Sequence, residues 1–253
     1  MPKRSLTLNA ALIARAHPHP VTHDGRGPGY DMALMGEAEA DARLDAALAE
    51  KPGDASILWL FAYGALMWRP EFRFSERREA RVRGWHRRFC LWQRGFRGTP
   101  DCPGVMLALD RGGQCRGFAY RLAGDDLRAE VRPVWRREMR GRGYQARWLT
   151  AETAEGPVPA LAFVADRTGE RYAGRLTDAA IADRIAAACG PTGPSAEYLL
   201  NTVAACEATG IHDRHLWAMQ ALVADRIADR LAACDGPTVQ NSPTPMPGSR
   251  RGG

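Results

Sequence analysis

Short apolar runs separated by turn residues occupy the middle of the chain and predict β-strands. Residues 57–63 form a continuous apolar run that ends at Gly64, which is typical of a buried strand. Four more strands are predicted from similar patterns, at residues 104–109, 114–122, 144–150 and 158–164. The first two of these flank a turn sequence that contains Gly112 and Gly113, and together they predict a β-hairpin.

Helical periodicity lies on both sides of these strands. Alternating alanine, leucine and acidic residues predict an amphipathic helix over 31–50, which Pro52 ends. Asp126 is predicted to cap a helix that runs to about Met139, with a kink at Pro133. Three more helices are predicted to close the chain, over 177–189, 195–209 (with a serine cap) and 213–233.

The order of these elements predicts the fold class. Strands come mostly first and helices last, which favours an α+β fold whose antiparallel or mixed sheet closes into a barrel flanked by helices. We expect a single domain over 29–235 with its core at 57–232. Residues 1–28 are rich in Pro, His and Gly and predict a disordered arm, and the Pro/Ser/Gly-rich residues 236–253 predict a disordered tail.

Charge and cysteine content narrow the class of protein. The 253-residue chain has a net charge of +6, carried almost wholly by arginines that alternate with acids rather than forming the clustered face of a nucleic-acid binder. Its six cysteines form no CxxC pair, which suits a reducing compartment. The N-terminus does not have the pattern of a signal peptide, and no stretch reaches the roughly 20 apolar residues that span a bilayer. We expect a soluble, cytoplasmic protein without membrane or nucleic-acid partners.

Glu138 is the most unusual carboxylate of the sequence. Leu127, Val131, Val134 and Trp135 follow helical spacing, and the next step of this apolar stripe falls on Glu138. Burial raises the pKa of a carboxyl group and makes it a better proton acceptor near neutral pH. The alternative is an ion pair with a nearby arginine, for which Arg136, Arg137 and Arg140 are candidates. The pattern alone leaves both interpretations open.

The turn after the first predicted strand is the second candidate. Gly64 allows backbone N–H groups to approach a ligand closely, and such groups favour carboxylates and oxyanions. A single glycine after a strand is also consistent with a simple turn. The sequence has neither the further glycines of a dinucleotide-binding motif nor the Gly-Lys-Ser/Thr of a phosphate-binding loop.

Other chemistry-bearing residues predict no site. His17 and His19 lie in the Pro-rich arm, and His212 and His215 have no third ligand beside them, so we expect no bound metal. No serine or cysteine has the sequence context of a nucleophile. The aromatic residues between positions 85 and 96 are expected to pack in the core.

Several blocks of sequence, in order and with matching spacing, resemble one family, the ChaC-type glutathione-specific γ-glutamylcyclotransferases. The resemblance spans about residues 59–231. It is carried by the turn from Phe61 to Pro70, by the blocks at 84–90 and 97–104, by Trp135–Met139 with Gly143 and Tyr144, and by residues 190–199.

The resemblance implies a γ-glutamylcyclotransferase-type barrel and a lyase that cleaves glutathione to 5-oxoproline and Cys-Gly. It implies that Glu138 is the general base, that Tyr144 and Tyr198 support substrate binding, and that no cofactor is needed. The residues implied to line the γ-glutamyl pocket are Leu60, Phe61, Ala62, Tyr63, Gly64 and Ala65. Glutathione is then the small-molecule partner, and we expect a monomer or weak homodimer.

Two features depart from the family pattern. The family turn usually reads Tyr-Gly-Ser-Leu, whereas this chain has Ala65, so a serine hydroxyl is missing. Pro133 lies in the helix before Glu138 and could shift the acid. The alternative to an enzyme is a non-catalytic module that binds a γ-glutamyl or amino-acid-like ligand, which Ala65 favours.

Overall fold

A computed structural model of the chain describes residues 5–19 and 34–235. Five strands form a closed barrel: β1 (Trp59–Ala62), β2 (Phe74–Gln93), β3 (Gly104–Leu122), β4 (Tyr144–Thr153) and β5 (Gly156–Ala165). Around the barrel they are ordered β1-β3-β2-β4-β5, and β1 closes it by pairing in parallel with β5. Both faces of β1 are buried, which explains its continuous apolar sequence. The predicted α+β barrel is therefore confirmed.

The hairpin predicted around Gly112 and Gly113 is wrong. Residues 104–122 form one continuous strand, β3, which pairs antiparallel with β2, a strand of nearly the same length. The two glycines have φ values of +110° and +63° and lie opposite Gly84, where the register shifts. They form a β-bulge, because a positive φ is as suitable for a bulge as for a tight turn.

Six helices are found in the described residues: α1 (Ala10–Ala16), α2 (Glu37–Ala49), α3 (Leu127–Met139), α4 (Asp178–Ala187), α5 (Ser195–Ala208) and α6 (Arg214–Asp235). Two short strands, β6 (Cys189–Gly190) and β7 (Gly193–Pro194), join α4 to α5. The predicted serine cap on α5 is wrong, since Pro194 occupies the cap position and Ser195 is the first helical residue. None of these helices is long and apolar enough to cross a membrane.

Helix α3 lies against α2. The Asp126 carboxylate accepts a hydrogen bond from the Ala129 N–H and caps α3, as predicted. The helix is continuous through Pro133. On the α2 side, Trp135 Nε1 donates to the Ala40 carbonyl at 2.8 Å, and Leu44 is fully buried. These contacts fix the helix that carries Glu138.

The predicted disordered arm is wrong for residues 10–16, which form α1. Asn9 caps this helix by accepting from the Leu12 N–H at 2.9 Å. Leu8 and Ile13 are buried in the main core, and the Leu8 N–H donates to the Gln220 side chain of α6. Apolar burial against α6 thus orders a segment whose composition alone gave no sign of it. Residues 20–33 and the predicted tail at 236–253 lie outside the described residues.

Candidate active site

A cavity of about 370 Å³ opens between the turn after β1, the end of α3, the start of β4 and the first turn of α5. The structure brings most of the predicted site residues together in its wall: Tyr63, Gly64, Ala65, Glu138, Tyr144 and Tyr198. These residues come from four separate parts of the chain. Their convergence on one cavity is the basis for treating it as the candidate active site.

Leu60, Phe61 and Ala62 are not part of this wall, although they were predicted to line the pocket. All three are fully buried in β1 and pack in the barrel core. A strand inside a closed barrel with both faces covered cannot turn three consecutive side chains toward a cavity. Only the turn that follows the strand reaches the cavity.

Glu138 lies near the end of α3 on the same side as buried Val131, Val134 and Trp135, as the apolar stripe predicts. Only 16% of its side chain is exposed. Burial raises the pKa of Glu138, the charge of Arg137 lowers it, and the charge of Glu71 raises it further. The carboxylate is therefore a stronger base than an exposed glutamate.

The ion-pair interpretation of Glu138 also holds, with Arg137 as the partner. Arg137 Nε lies 3.3 Å from Glu138 Oε1, whereas Arg136 pairs with Glu37 and Asp41 on α2. Arg137 is shared, because its Nη1 donates to Glu71 at 2.6 Å. Burial and pairing thus act together on Glu138 rather than excluding each other.

Glu71 holds Arg137 from a special backbone position. Its φ is +53°, a left-handed conformation that costs a non-glycine residue roughly 1–2 kcal/mol. Its carboxylate accepts hydrogen bonds from both Arg69 and Arg137. These ion pairs hold Glu71 in a strained backbone conformation close to Glu138. Proteins commonly retain such strain at functional sites.

Gly64 is required by close packing. A Cβ at this position would lie 2.8 Å from Tyr198 Oη and 3.7 Å from Leu107 Cδ2, so alanine cannot enter without moving the tyrosine. A short 3₁₀ turn follows, in which Met67 N–H donates to the Gly64 carbonyl. Among the described residues no backbone carbonyl accepts from the N–H groups of Gly64, Ala65 or Leu66. The Ala65 N–H faces the Tyr198 hydroxyl, so the N–H groups of Gly64 and Leu66 are the donors that remain for an anion in these cavity-lining residues.

A buried arginine fixes the start of this turn. Arg87 Nε donates to the Tyr63 carbonyl at 2.6 Å, and Arg87 Nη1 lies 3.0 Å from Asp213 Oδ2. Asp213 also accepts from the N–H groups of His215 and Leu216 at the start of α6. Because the Arg87 side chain is only 3% exposed, this ion pair locks the turn to the helical layer.

Three tyrosines surround Glu138. Burial raises the pKa of Tyr63 and of Tyr144 well above the usual value, and raises that of Tyr198 to about 12. The negative charge of Glu138 raises all three further. The Tyr63 hydroxyl donates to the Phe163 carbonyl at 2.6 Å and the Tyr144 hydroxyl donates to the Leu107 carbonyl at 3.0 Å. The tyrosines are therefore neutral at physiological pH.

The wall residues that were not predicted include Glu71, Gln93, Arg97 and Arg171. Arg97 belongs to one of the blocks that carry the family resemblance, which was the available signal for it. The other three lie in connections or at strand ends, and their local sequence gives no indication that they meet. Among the described residues no three His, Cys, Asp or Glu side chains are grouped as a metal site.

The chain matches a protein-family model described as ChaC-like protein over residues 58–226. A similar sequence is the glutathione-specific γ-glutamylcyclotransferase of Escherichia coli K12, which is 39% identical over 169 residues, 66% of this chain and 73% of that protein. Another is glutathione-specific γ-glutamylcyclotransferase 1 of Homo sapiens, 34% identical over 195 residues, 74% of this chain and 86% of that protein.

A solved structure supports the fold. The chain is similar to a yeast γ-glutamylcyclotransferase specific to glutathione, with a TM-score of 0.63 and 20% sequence identity. The match covers 68% of this chain and 97% of that chain. At this identity the likeness establishes the barrel architecture, which agrees with the strand order described above.

Proposed function

The chain belongs to the ChaC-like protein family, and we propose that it is a γ-glutamylcyclotransferase that cleaves glutathione to 5-oxoproline and Cys-Gly. The observation that carries the proposal is the position of Glu138. Its carboxylate, largely buried and with a raised pKa, lines the same cavity as the residues of the Gly64 turn. A base and an anion-binding backbone are what this cyclisation requires.

The proposed reaction is intramolecular. Glu138 takes a proton from the α-ammonium group of the γ-glutamyl unit, and the free amine nitrogen forms a bond to the γ-carbonyl carbon. The tetrahedral intermediate then collapses: Glu138 returns its proton to the cysteinyl nitrogen, and the bond from the γ-carbon to this nitrogen breaks. The ring nitrogen gives up its second proton, which passes to the released amine, so the product is a neutral lactam and the dipeptide leaves as an ammonium. Atoms balance without added water or a protein nucleophile. General acid–base transfer of this kind contributes about 10²–10⁴-fold.

The turn is proposed to bind negative charge. The N–H groups of Gly64 and Leu66 are suited to the substrate α-carboxylate or to the oxyanion of the intermediate, which preorganised donors stabilise. These are main-chain donors of the residues on either side of Ala65, so they do not depend on the serine hydroxyl that the family turn has at this position. The loss of that hydroxyl is expected to weaken substrate binding more than the chemical step.

Tyr144 and Tyr198 are proposed to shape the substrate. Because both are neutral, they can contact the γ-glutamyl chain without repelling its carboxylate. Tyr198 packs against Gly64 and thereby sets the width of the pocket at the turn. A bent γ-glutamyl chain brings the amine toward its own γ-carbonyl, and such preorganisation lowers the entropic part of the barrier.

The experiment is to incubate the purified protein with glutathione and to quantify 5-oxoproline and Cys-Gly. We expect both products in equal amounts. Cleavage of another γ-glutamyl amine but not of glutathione would retain the chemistry and change the substrate. Glutathione that binds in calorimetry but stays intact would favour the non-catalytic binding module, for which Ala65 is the supporting observation.

Further expectations concern the setting of the enzyme. The six cysteines are free thiols, which supports a reducing, cytoplasmic location. Arginines on β2 pair with acids, as Arg81 and Arg83 do with Glu152, which supports the absence of a nucleic-acid partner. We expect a monomer or weak homodimer, and size-exclusion chromatography tests this.

A further inference from the structure

Arg171 is a buried cation in the wall of the cavity. It lies in the connection between β5 and α4, is only 9% exposed, and lines the cavity described above. Burial lowers the pKa of Arg171, so its surroundings disfavour the charge. A charged group in such a place normally has a partner of opposite charge, because an unpaired buried charge is costly.

The partners of Arg171 within the chain are all neutral. Its Nε donates to the Trp92 carbonyl at 3.0 Å, its Nη1 to the Gly141 carbonyl at 3.0 Å and its Nη2 to Gln93 Oε1 at 3.1 Å. A guanidinium has five N–H donors, so one on each terminal nitrogen has no acceptor in the described parts of the chain. Nor does any carboxylate there form an ion pair with Arg171.

Two other arginines of the wall already have carboxylate partners. Arg97 Nη1 lies 2.7 Å from Glu197 Oε2, and Arg137 pairs with Glu71 as well as with Glu138. Arg171 differs from both because its hydrogen-bond partners are neutral, so its positive charge has no counter-ion in the described residues. This is the pattern expected of a residue whose counter-ion arrives with the ligand.

Gln93 adds a neutral donor at the same place. Its side-chain oxygen accepts from Arg171, so the carboxamide NH₂ is the part that remains for a ligand. Gln93 is buried and lines the cavity, and within residues 5–19 and 34–235 its NH₂ has no acceptor. A cation beside a neutral donor, with no acid paired to it, is suited to a carboxylate.

This part of the wall is separate from the turn. A Cβ at Gly64 would meet Tyr198 and Leu107, whereas one at Gly143 would meet Arg171 at 3.1 Å. Tyr144 lies near both groups, because the charges of both Glu138 and Arg171 act on its pKa. If the γ-glutamyl unit occupies the turn beside Glu138, the far end of the tripeptide extends toward Arg171.

We propose that Arg171, assisted by Gln93, binds the glycyl carboxylate of glutathione and so selects a tripeptide over a shorter or uncharged γ-glutamyl amine. The proposal rests on the proposed function, which assigns the γ-glutamyl unit to the turn. It makes Arg171 a binding residue for the leaving dipeptide, with no part in proton transfer.

The test compares glutathione with its glycinamide analogue, in which a neutral carboxamide replaces the glycyl carboxylate. Wild-type enzyme is expected to lose about 10- to 100-fold in kcat/KM on the amide, the usual worth of a charged hydrogen bond. Arg171→Gln is expected to lose a similar factor on glutathione and almost nothing on the amide. Arg175→Gln, an exposed arginine of the same connection, is the matched control and keeps the wild-type preference.

The ratio between the two substrates is measured within one preparation, so partial unfolding of Arg171→Gln does not affect it. An equal loss on both substrates, or wild-type enzyme without a preference, would overturn the proposal. If wild-type protein cleaves neither compound, the proposed function fails. Calorimetry then decides the role of Arg171. If Arg171 contacts the glycyl carboxylate, the wild type binds glutathione more tightly than the glycinamide analogue, and Arg171→Gln loses this preference.

Discussion

Removing the charge of Arg137 is expected to shift the acid limb of the kcat/KM pH profile to higher pH. The base must be ionised to act, so the rate falls as the pH drops through the pKa of Glu138. Burial raises this pKa and Arg137 opposes the rise. Arg137→Gln removes the positive charge that lowers the pKa of Glu138, so Glu138 takes up its proton at a higher pH than in the wild type.

The geometry bounds the size of the shift. At 3.3 Å, two unit charges attract by about 1.3 kcal/mol at the dielectric constant of water and by about 5 kcal/mol at an effective value of ~20. The Arg137 side chain is 30% exposed and its charge is shared with Glu71, so the water-like limit applies. Since one pKa unit corresponds to about 1.36 kcal/mol, we expect the limb to move by about one pH unit.

Two further variants test the direction in which the acid limb of the pH profile moves. Glu71→Gln removes a charge that raises the pKa of Glu138 and frees Arg137 to pair with Glu138, so its limb should move to lower pH. Arg136→Gln removes the same charge one residue away, from a side chain that pairs with α2, and should leave the limb in place. The assay is 5-oxoproline formation at limiting glutathione across pH. An unmoved limb in Arg137→Gln, or a shift to lower pH, would refute the assignment of Glu138 as the titrating base.

Three other predictions follow from packing and pairing. Gly64→Ala should lower kcat/KM because its Cβ would meet Tyr198 Oη at 2.8 Å. Adding Tyr198→Phe should recover part of the loss. If the losses of the two single variants simply add in the double variant, the contact between these residues is contradicted. Leu44→Ala should cost about 2–5 kcal/mol in urea unfolding, since Leu44 of α2 is fully buried in the main hydrophobic core. Asp213→Ala should cost about 3 kcal/mol in the same measurement, because it leaves Arg87 buried without its counter-ion; a change below about 1 kcal/mol would contradict this.

The position of Glu138 could be predicted because helical periodicity is a local signal. Val131, Val134 and Trp135 lie within two turns of the acid, and any helix that buries them carries Glu138 to the same side. The turn at Gly64 was equally accessible, since an apolar run followed by glycine marks the end of a buried strand. These two features needed no knowledge of distant parts of the chain.

The long β2–β3 pair could not be predicted in the same way. Residues 74–93 are rich in arginine, and this composition is typical of a charged surface segment. Only the pairing with β3 shows that they form a long strand. Gly112 and Gly113 fit both a tight turn and a bulge, and only the partner strand with Gly84 opposite decides between them.

Arg171 was missed for a similar reason. Its hydrogen-bond acceptors, at Trp92, Gln93 and Gly141, are 30 to 79 residues away in sequence. Nothing near Arg171 in the sequence marks it as buried, because the cavity exists only after the barrel has closed. Local sequence patterns therefore cannot predict the part of a site that is built from segments distant in sequence.

Turnover of glutathione by Glu138→Gln is the most direct test of the central claim. The variant preserves the size of the side chain and removes the base, so it should still bind glutathione but form 5-oxoproline about 10²–10⁴-fold more slowly. Glu130→Gln, in the same helix but outside the cavity wall, is the matched control and should retain wild-type turnover. A folded Glu138→Gln protein that releases 5-oxoproline and Cys-Gly at the wild-type rate would contradict the account.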